Sequence, residues 1–291
     1  MKKILLLTDF SEASHNALEF ARSFFGDTVA DFHLLCANAL ETANPDAPNP
    51  DAIVPPTRPN YADRLHTVVT DLRREVTNDW HTFRSSSLPG KALEVVEQAV
   101  KAEVYDFVVI GPQPDETNEL FGNSAIALVR RLKANVLVIS GDARSRPIHQ
   151  IVLAADFANL KNSKLLGPLK ELVTLKGAAL TLLTVDTPDK DIIRVEREAH
   201  IRQFLTPIVP FIVRLKSPNA KRGIDAYLTA HPVDLLVTIP SYNSRTQTLT
   251  SGRVTRPQAF APAVPLLTLY DDGSNDHPRL IEDLSNADYA L

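Results

Sequence analysis

A single cysteine, Cys36, is all the sulfhydryl the 291 residues carry. This excludes an intrachain disulfide and fits a reducing compartment. Basic tracts are missing too, and the formal net charge is only −4. With no phosphate-backbone footprint and no polybasic patch, nucleic acid and an anionic membrane surface are not expected partners. No apolar run reaches the ~18 residues of a membrane helix. After Lys2-Lys3 the first apolar stretch meets Asp9 too early for a signal-peptide core of about 7–15 residues. The expectation is a soluble, cytoplasmic protein. There is no G-x-S-x-G elbow, and no Ser, His and Asp set suggests itself, so a hydrolase has no evident nucleophile. The histidines besides His33 (His15, His66, His81, His149, His200, His231 and His277) are scattered. His33 and Cys36, three apart on a strand, point to opposite faces and cannot chelate one ion, so no metal site is expected.

What the chain does have is a repeat. Ile4-Leu-Leu-Leu-Thr-Asp9-Phe10 returns as Ile151-Val-Leu-Ala-Ala-Asp156-Phe157, 147 positions later (156 − 9). A period of that length means two copies of one folded unit rather than a solenoid, whose repeats run at roughly 20–50 residues. Length and the 44% apolar content suit two ordinary cores.

Each copy alternates short β-rich apolar runs with helical periodicity. In the first, strands are expected at 4–8, 32–37, 80–86, 107–110 and 136–139. Helices are expected at 12–25, 61–79, 92–104 and 124–133. In the second, strands are expected at 151–155, 179–185, 211–215, 235–238 and 266–269, with helices within 160–175, 189–205 and 219–229. Such alternation implies right-handed crossovers and a parallel sheet covered on both faces. The units are placed at 1–141 and 149–270, joined by the polar linker Gly141–His149, with an acidic extension over 271–291. The Pro-rich stretch 41–60 follows the second strand, on the edge where open α/β sheets bind ligands, and reads as a surface loop or a lid.

The strand-Asp opening, Phe32-His33-Leu34-Leu35, Tyr105-Asp106-Phe107-Val108-Val109-Ile110-Gly111 and Gly122-Asn123-Ser124 occur in this order before an apolar closing strand. In these the chain resembles the universal stress protein family, in its tandem form, up to about Tyr270. The resemblance implies two Rossmann-like domains of adenine nucleotide α-hydrolase type, each a five-stranded parallel sheet with helices on both faces. It also implies a pseudo-two-fold dimer of the two halves through Val136–Ile139 and Leu266–Leu269. Adenylating relatives of this fold show a Ser-Gly-Gly-rich loop after the first strand. Here that place holds Thr8-Asp9-Phe10-Ser11-Glu12.

Members that bind ATP carry G-x2-G-x9-G followed by Ser, Thr or Asn. Glycines there let backbone approach ribose and phosphate, and the last opens a helix whose free N–H groups attract an anion. By resemblance, Asp9 and Ala37 sit at the adenine and ribose end, and Ile110, Gly111, Gly122, Asn123, Ser124 and Ala125 surround ribose and phosphate. ATP is the implied ligand, with magnesium only alongside it. The pattern is incomplete: Pro114 replaces the second glycine, the step from Gly111 to Gly122 is 11 rather than 13 (122 − 111), and Asp115, Glu116 and Glu119 add negative charge.

In the second half Ile239 and Tyr242 replace two glycines, Gly252 keeps the spacing of 13 (252 − 239), and Pro257 disturbs the helix start. Arg245, Arg253 and Arg256 with nearby hydroxyls form a loop that either binds an anion by side chains or is simply solvated. Asp9 itself either faces the ligand or caps the following helix. The expected function is a non-catalytic stress-response protein that binds an adenine nucleotide in its first half. The alternatives are a nucleotide-independent interaction protein binding a protein or a small anionic ligand, and, third, a slow ATP hydrolase.

Overall fold

The computed structural model describes residues 1–38, 60–75, 80–111, 131–157, 160–186, 195–240, 242–243, 248–249 and 264–274. The first half runs β1 (Lys2–Leu7), α1 (Glu12–Phe24), β2 (Ala30–Asn38), α2 (Tyr61–Glu75), β3 (His81–Pro89), α3 (Ala92–Ala102), β4 (Phe107–Ile110) and β5 (Val136–Val138). The second runs β6 (Gln150–Ala154), a 3-10 turn at Ser163–Leu166, α4 (Gly167–Lys176), β7 (Ala179–Asp186), α5 (Val195–Leu205), β8 (Phe211–Lys216), α6 (Ala220–Ala230) and β9 (Leu235–Thr238). A small antiparallel pair, β10 (Tyr242–Asn243) and β11 (Thr248–Leu249), follows before the closing strand β12 (Leu266–Thr268). The expected helix at 124–133 and the Pro-rich stretch lie outside the described residues, apart from 131–133 and Asn60.

Local chemistry explains the boundaries. Ser11 caps α1, its hydroxyl accepting the Ser14 N–H at 3.1 Å, and Glu12 places a carboxylate against the positive end of the helix. Ala13, Ala17, Leu18, Phe20, Ala21 and Phe24 form the buried stripe. Asn219 caps α6 in the same way, and α4 starts beside Pro168 and ends on Gly177 at φ 59, the left-handed turn that glycine tolerates best.

All the long strands join one ten-stranded sheet in the order β3-β2-β1-β4-β5-β12-β9-β6-β7-β8. Within each half the pairing is parallel. Between them β5 and β12 pair antiparallel, with Val138 opposite Leu266, Leu137 opposite Leu267 and Val136 opposite Thr268. The Thr268 hydroxyl donates to the Val136 carbonyl at 3.3 Å. Each closing strand therefore covers the edge of the other, and the fully buried Leu137 and Leu267 each contribute about 2 kcal/mol by leaving water.

Two continuous cores sandwich the sheet. One lies under α1, α2, α4 and α5 and runs from Phe24, Phe32 and Leu65 to Leu166, Leu169 and Leu205. The other lies under α3 and α6 and runs from Leu5, Val96 and Val108 to Leu236, Ile224 and Tyr227. Polar contacts also tie the halves: Lys2 Nζ meets Glu171 at 2.7 Å and Lys176 Nζ meets Asp27 at 2.9 Å. At the outer edge, the Phe83 carbonyl of β3 accepts from Arg73 at 2.6 Å. That cap blunts an edge open to pairing with another strand.

Candidate functional site

β1 lies between β2 and β4, so the order of the chain reverses there and the carboxyl ends of these three strands open a crevice. Asp9, Ala37, Ile110 and Gly111 are all brought to this edge. The register fixes their neighbourhood: Leu7 is opposite Leu35, Leu6 is opposite Val109, and the Thr8 N–H donates to the Leu35 carbonyl at 3.0 Å. Gly122, Asn123, Ser124 and Ala125 lie outside the described residues.

Asp9 does not cap α1; Ser11 does. The Asp9 carboxylate instead accepts the Ser11 N–H at 2.9 Å, a turn that shapes the β1–α1 connection. Burial pushes its pKa up, but hydrogen bonds from the Ser11 hydroxyl and N–H and from Ser14 outweigh that and hold it below the ordinary value. It is an anion at neutral pH. The next residue, Phe10, has φ 63, a left-handed conformation that costs a side chain with a Cβ about 1–2 kcal/mol. Its N–H donates to Thr8 Oγ1 at 3.1 Å, its ring stacks on Tyr61 at 6.1 Å, and the Arg64 guanidinium sits 4.1 Å from its centroid. The repeated Phe157 behaves differently and is buried in the core.

Gly111 is there for a packing reason that its motif position did not suggest. A Cβ built on it would stand 2.1 Å from the Ala13 carbonyl oxygen and 2.8 Å from Ala17 Cβ, so α1 rests directly on its backbone. No left-handed φ is needed. Ile110 is buried, and its carbonyl accepts the Ile139 N–H at 2.9 Å; Ala37 is partly buried opposite Leu88. In the second half β6 and β9 meet as β1 and β4 do, with Ile151 opposite Leu235 where Ile4 is opposite Phe107. That register puts Ile239 where Gly111 stands. Ile239 packs partly buried against the core, and the 3-10 turn at Ser163 starts nine positions past the end of β6 (163 − 154), whereas α1 starts five past the end of β1 (12 − 7).

A cavity of about 480 Å³ opens between α1 and α2, lined by Thr8, Phe10, Ser11, Ser14, Leu34 and Arg64 among others. None of Asp9, Ala37, Ile110 and Gly111 lines it.

At the opposite end of the first half lies a buried polar network. His33 Nδ1 is 2.6 Å from the Tyr105 hydroxyl and Nε2 is 2.7 Å from Ser86 Oγ. The Tyr105 hydroxyl donates to Glu103 at 3.1 Å, and Arg84 bridges Glu103 and Asp31 at 2.6 and 3.0 Å. Burial, then the Arg84 charge, holds His33 down to about 4, so it is neutral at physiological pH. Cys36 points into the core of the other face and burial raises its pKa, so it is not an activated thiol. Among the described residues Ser86 meets His33 at 2.7 Å and Ser163 meets His200 at 3.3 Å, with His33 and Ser163 buried. Among the described residues no group of three or more His, Cys, Asp or Glu could hold a metal ion, and no helix is long and apolar enough to cross a membrane.

The model of the universal stress protein family matches residues 1–140. Solved structures share the fold over nearly the whole chain. A universal stress protein from Archaeoglobus fulgidus DSM 4304 is 15% identical, covering 92% of this chain and 97% of its own, with a TM-score of 0.67. A functionally unknown protein from Pseudomonas aeruginosa PAO1 is 14% identical, covering 94% of each chain, with a TM-score of 0.66. The cytoplasmic domain of a prokaryotic cation chloride cotransporter is 12% identical, covering 94% of this chain and 97% of its own, with a TM-score of 0.54. Comparison with curated proteins finds no match.

Proposed function

We propose that this chain, whose residues 1–140 match the model of the universal stress protein family, is a non-catalytic, cytoplasmic stress-response protein that binds an adenine nucleotide in its first half. The seat consists of Asp9, Ala37, Ile110 and Gly111 at the strand ends, with Gly122, Asn123, Ser124 and Ala125 around ribose and phosphate. Magnesium enters only with the nucleotide. The units 1–141 and 149–270 act as an intramolecular pseudo-dimer, and 271–291 is an extension. The observation that carries the reading is the position of β1 between β2 and β4, which gathers Asp9, Ala37 and Gly111 at one reversal of strand order.

Calorimetry with ATP, ADP and AMP plus magnesium tests it, on the native chain and on Gly122→Asp. Saturable heat that is lost in the variant, with nucleotide recovered unhydrolysed, is the expected result. Hydrolysis at a steady rate would contradict the non-catalytic part, and no heat in the native chain would contradict the nucleotide.

A second reading, a nucleotide-independent interaction module, is favoured by Gly111. α1 packs on it so closely that glycine is required there with or without a nucleotide. The same fold in the cytoplasmic domain of a cotransporter underlines that architecture alone does not specify the ligand.

A further inference from the structure

α1 separates two places that could each take a ligand. Ala13 and Ala17 face Gly111 and the end of β4. Ser11, Ser14 and Leu18, on another side of the same helix, face the cavity shared with α2. The floor of that cavity is apolar, with Leu18 and Leu34 buried and Val68 half-buried above them. Its walls carry hydroxyls from Thr8, Ser11, Ser14 and Thr67. The first-turn N–H of Ser14 is already taken by the Ser11 cap, so the helix end offers little by itself.

What sets the cavity apart is Arg64. Its guanidinium is held 4.1 Å over the Phe10 ring, and among the described residues no carboxylate pairs with it. Phe10 is in turn fixed by Thr8 and Tyr61, so the cation is placed in advance of any ligand. A volume near 480 Å³ falls in the usual range of small-molecule sites. The single acidic side chain in the lining, Glu12, opposes a highly charged ligand such as a triphosphate and leaves room for one negative charge.

We propose that this cavity binds a small amphipathic monoanion, its charged end on Arg64 and its apolar body over Leu18, Leu34 and Val68. The site borders the same β1–α1 turn as the nucleotide seat but lies on another side of α1, and the two are separable by experiment. Octanoate, methyl phenyl phosphate (a singly charged diester) and octylamine are titrated calorimetrically into the full chain. Octanoate or methyl phenyl phosphate binds and octylamine does not; which of the two binds distinguishes a carboxylate from a phosphate source. Arg64→Ala, at an exposed position of α2, weakens binding about tenfold or more with an unchanged melting temperature. Val68→Trp fills the cavity and abolishes binding, while Gly122→Asp leaves it intact. Absence of heat with both anions, equal binding of octylamine, or undiminished binding by Arg64→Ala or Val68→Trp overturns the proposal.

Discussion

His33 Nδ1 and the Tyr105 hydroxyl oxygen lie 2.6 Å apart, and this contact decides where the imidazole carries its proton. Because the Tyr105 hydroxyl donates to Glu103, its oxygen accepts from Nδ1–H, and Nε2 accepts from the Ser86 hydroxyl. A second proton would have to be carried in a buried site beside the Arg84 charge, with the Ser86 hydroxyl turned to accept from Nε2.

Acid should therefore destabilise the fold in two stages. The ordinary pKa of His33 is 6.5 and burial, then Arg84, lowers it to about 4. Between those values the unfolded chain takes up a proton that the folded chain refuses, so stability is full above 6.5 and falls as pH drops towards 4. Glu103, lowered from 4.5 to about 2 by the Lys3 hydrogen bond first and by Arg84 and Tyr105 as well, continues the loss below 4.5. Urea midpoints from pH 8 to 3 follow this course. His33→Gln lowers stability by about 1–2 kcal/mol at pH 7, through its lost hydrogen bonds, and flattens the first stage. An unchanged slope between 6.5 and 4 would mean that another group titrates there.

Gly111→Ala forces a methyl group to 2.1 Å from the Ala13 carbonyl, a backbone atom that cannot step aside without moving α1. The expected cost is about 3 kcal/mol, at the upper end of overpacking effects, read as a lower denaturant midpoint with the same m-value. Gly141→Ala, where an added Cβ meets nothing within 4 Å, is the matched control and should be nearly neutral.

Leu267→Asp puts an unpaired carboxylate at a fully buried position opposite Leu137 and should cost about 4 kcal/mol. Loss of the β5–β12 contact exposes both edges, so small-angle scattering should show a larger radius of gyration and limited proteolysis should cut within 141–149. A compact, protease-resistant variant would show that the helical contacts alone hold the halves together.

The strands were legible because parallel strands buried on both faces read as unbroken apolar runs. Phe107–Ile110 and Leu235–Thr238 coincide with expectation, and the others shift by a few residues at their ends, where hydrogen bonds rather than composition set the limit. That Asp9, Ala37, Ile110 and Gly111 would lie together was implied by the family resemblance, and the strand order places them at one edge. What the letters did not carry was contact. Nothing local told that Ser11 rather than Asp9 caps α1, or that Gly111 answers to Ala13. Arg64, far along the chain from Phe10, gave no sign that it would settle on that ring. Tyr105 and Ser85-Ser86-Ser87 were the signal for the His33 network, since hydroxyls on strands facing a buried histidine have to find partners.

The antiparallel seam between β5 and β12 lies inside one polypeptide, so each half meets its companion without a second copy. Two chains that meet through such a seam as identical subunits must change together, because every substitution appears on both sides of the axis. Tethering lifts that constraint: Gly111 can stay while its counterpart becomes Ile239, and Phe10 can line a cavity while Phe157 is buried in the core. A joined pair of this kind is free to specialise one crevice and let the other serve as its permanent support.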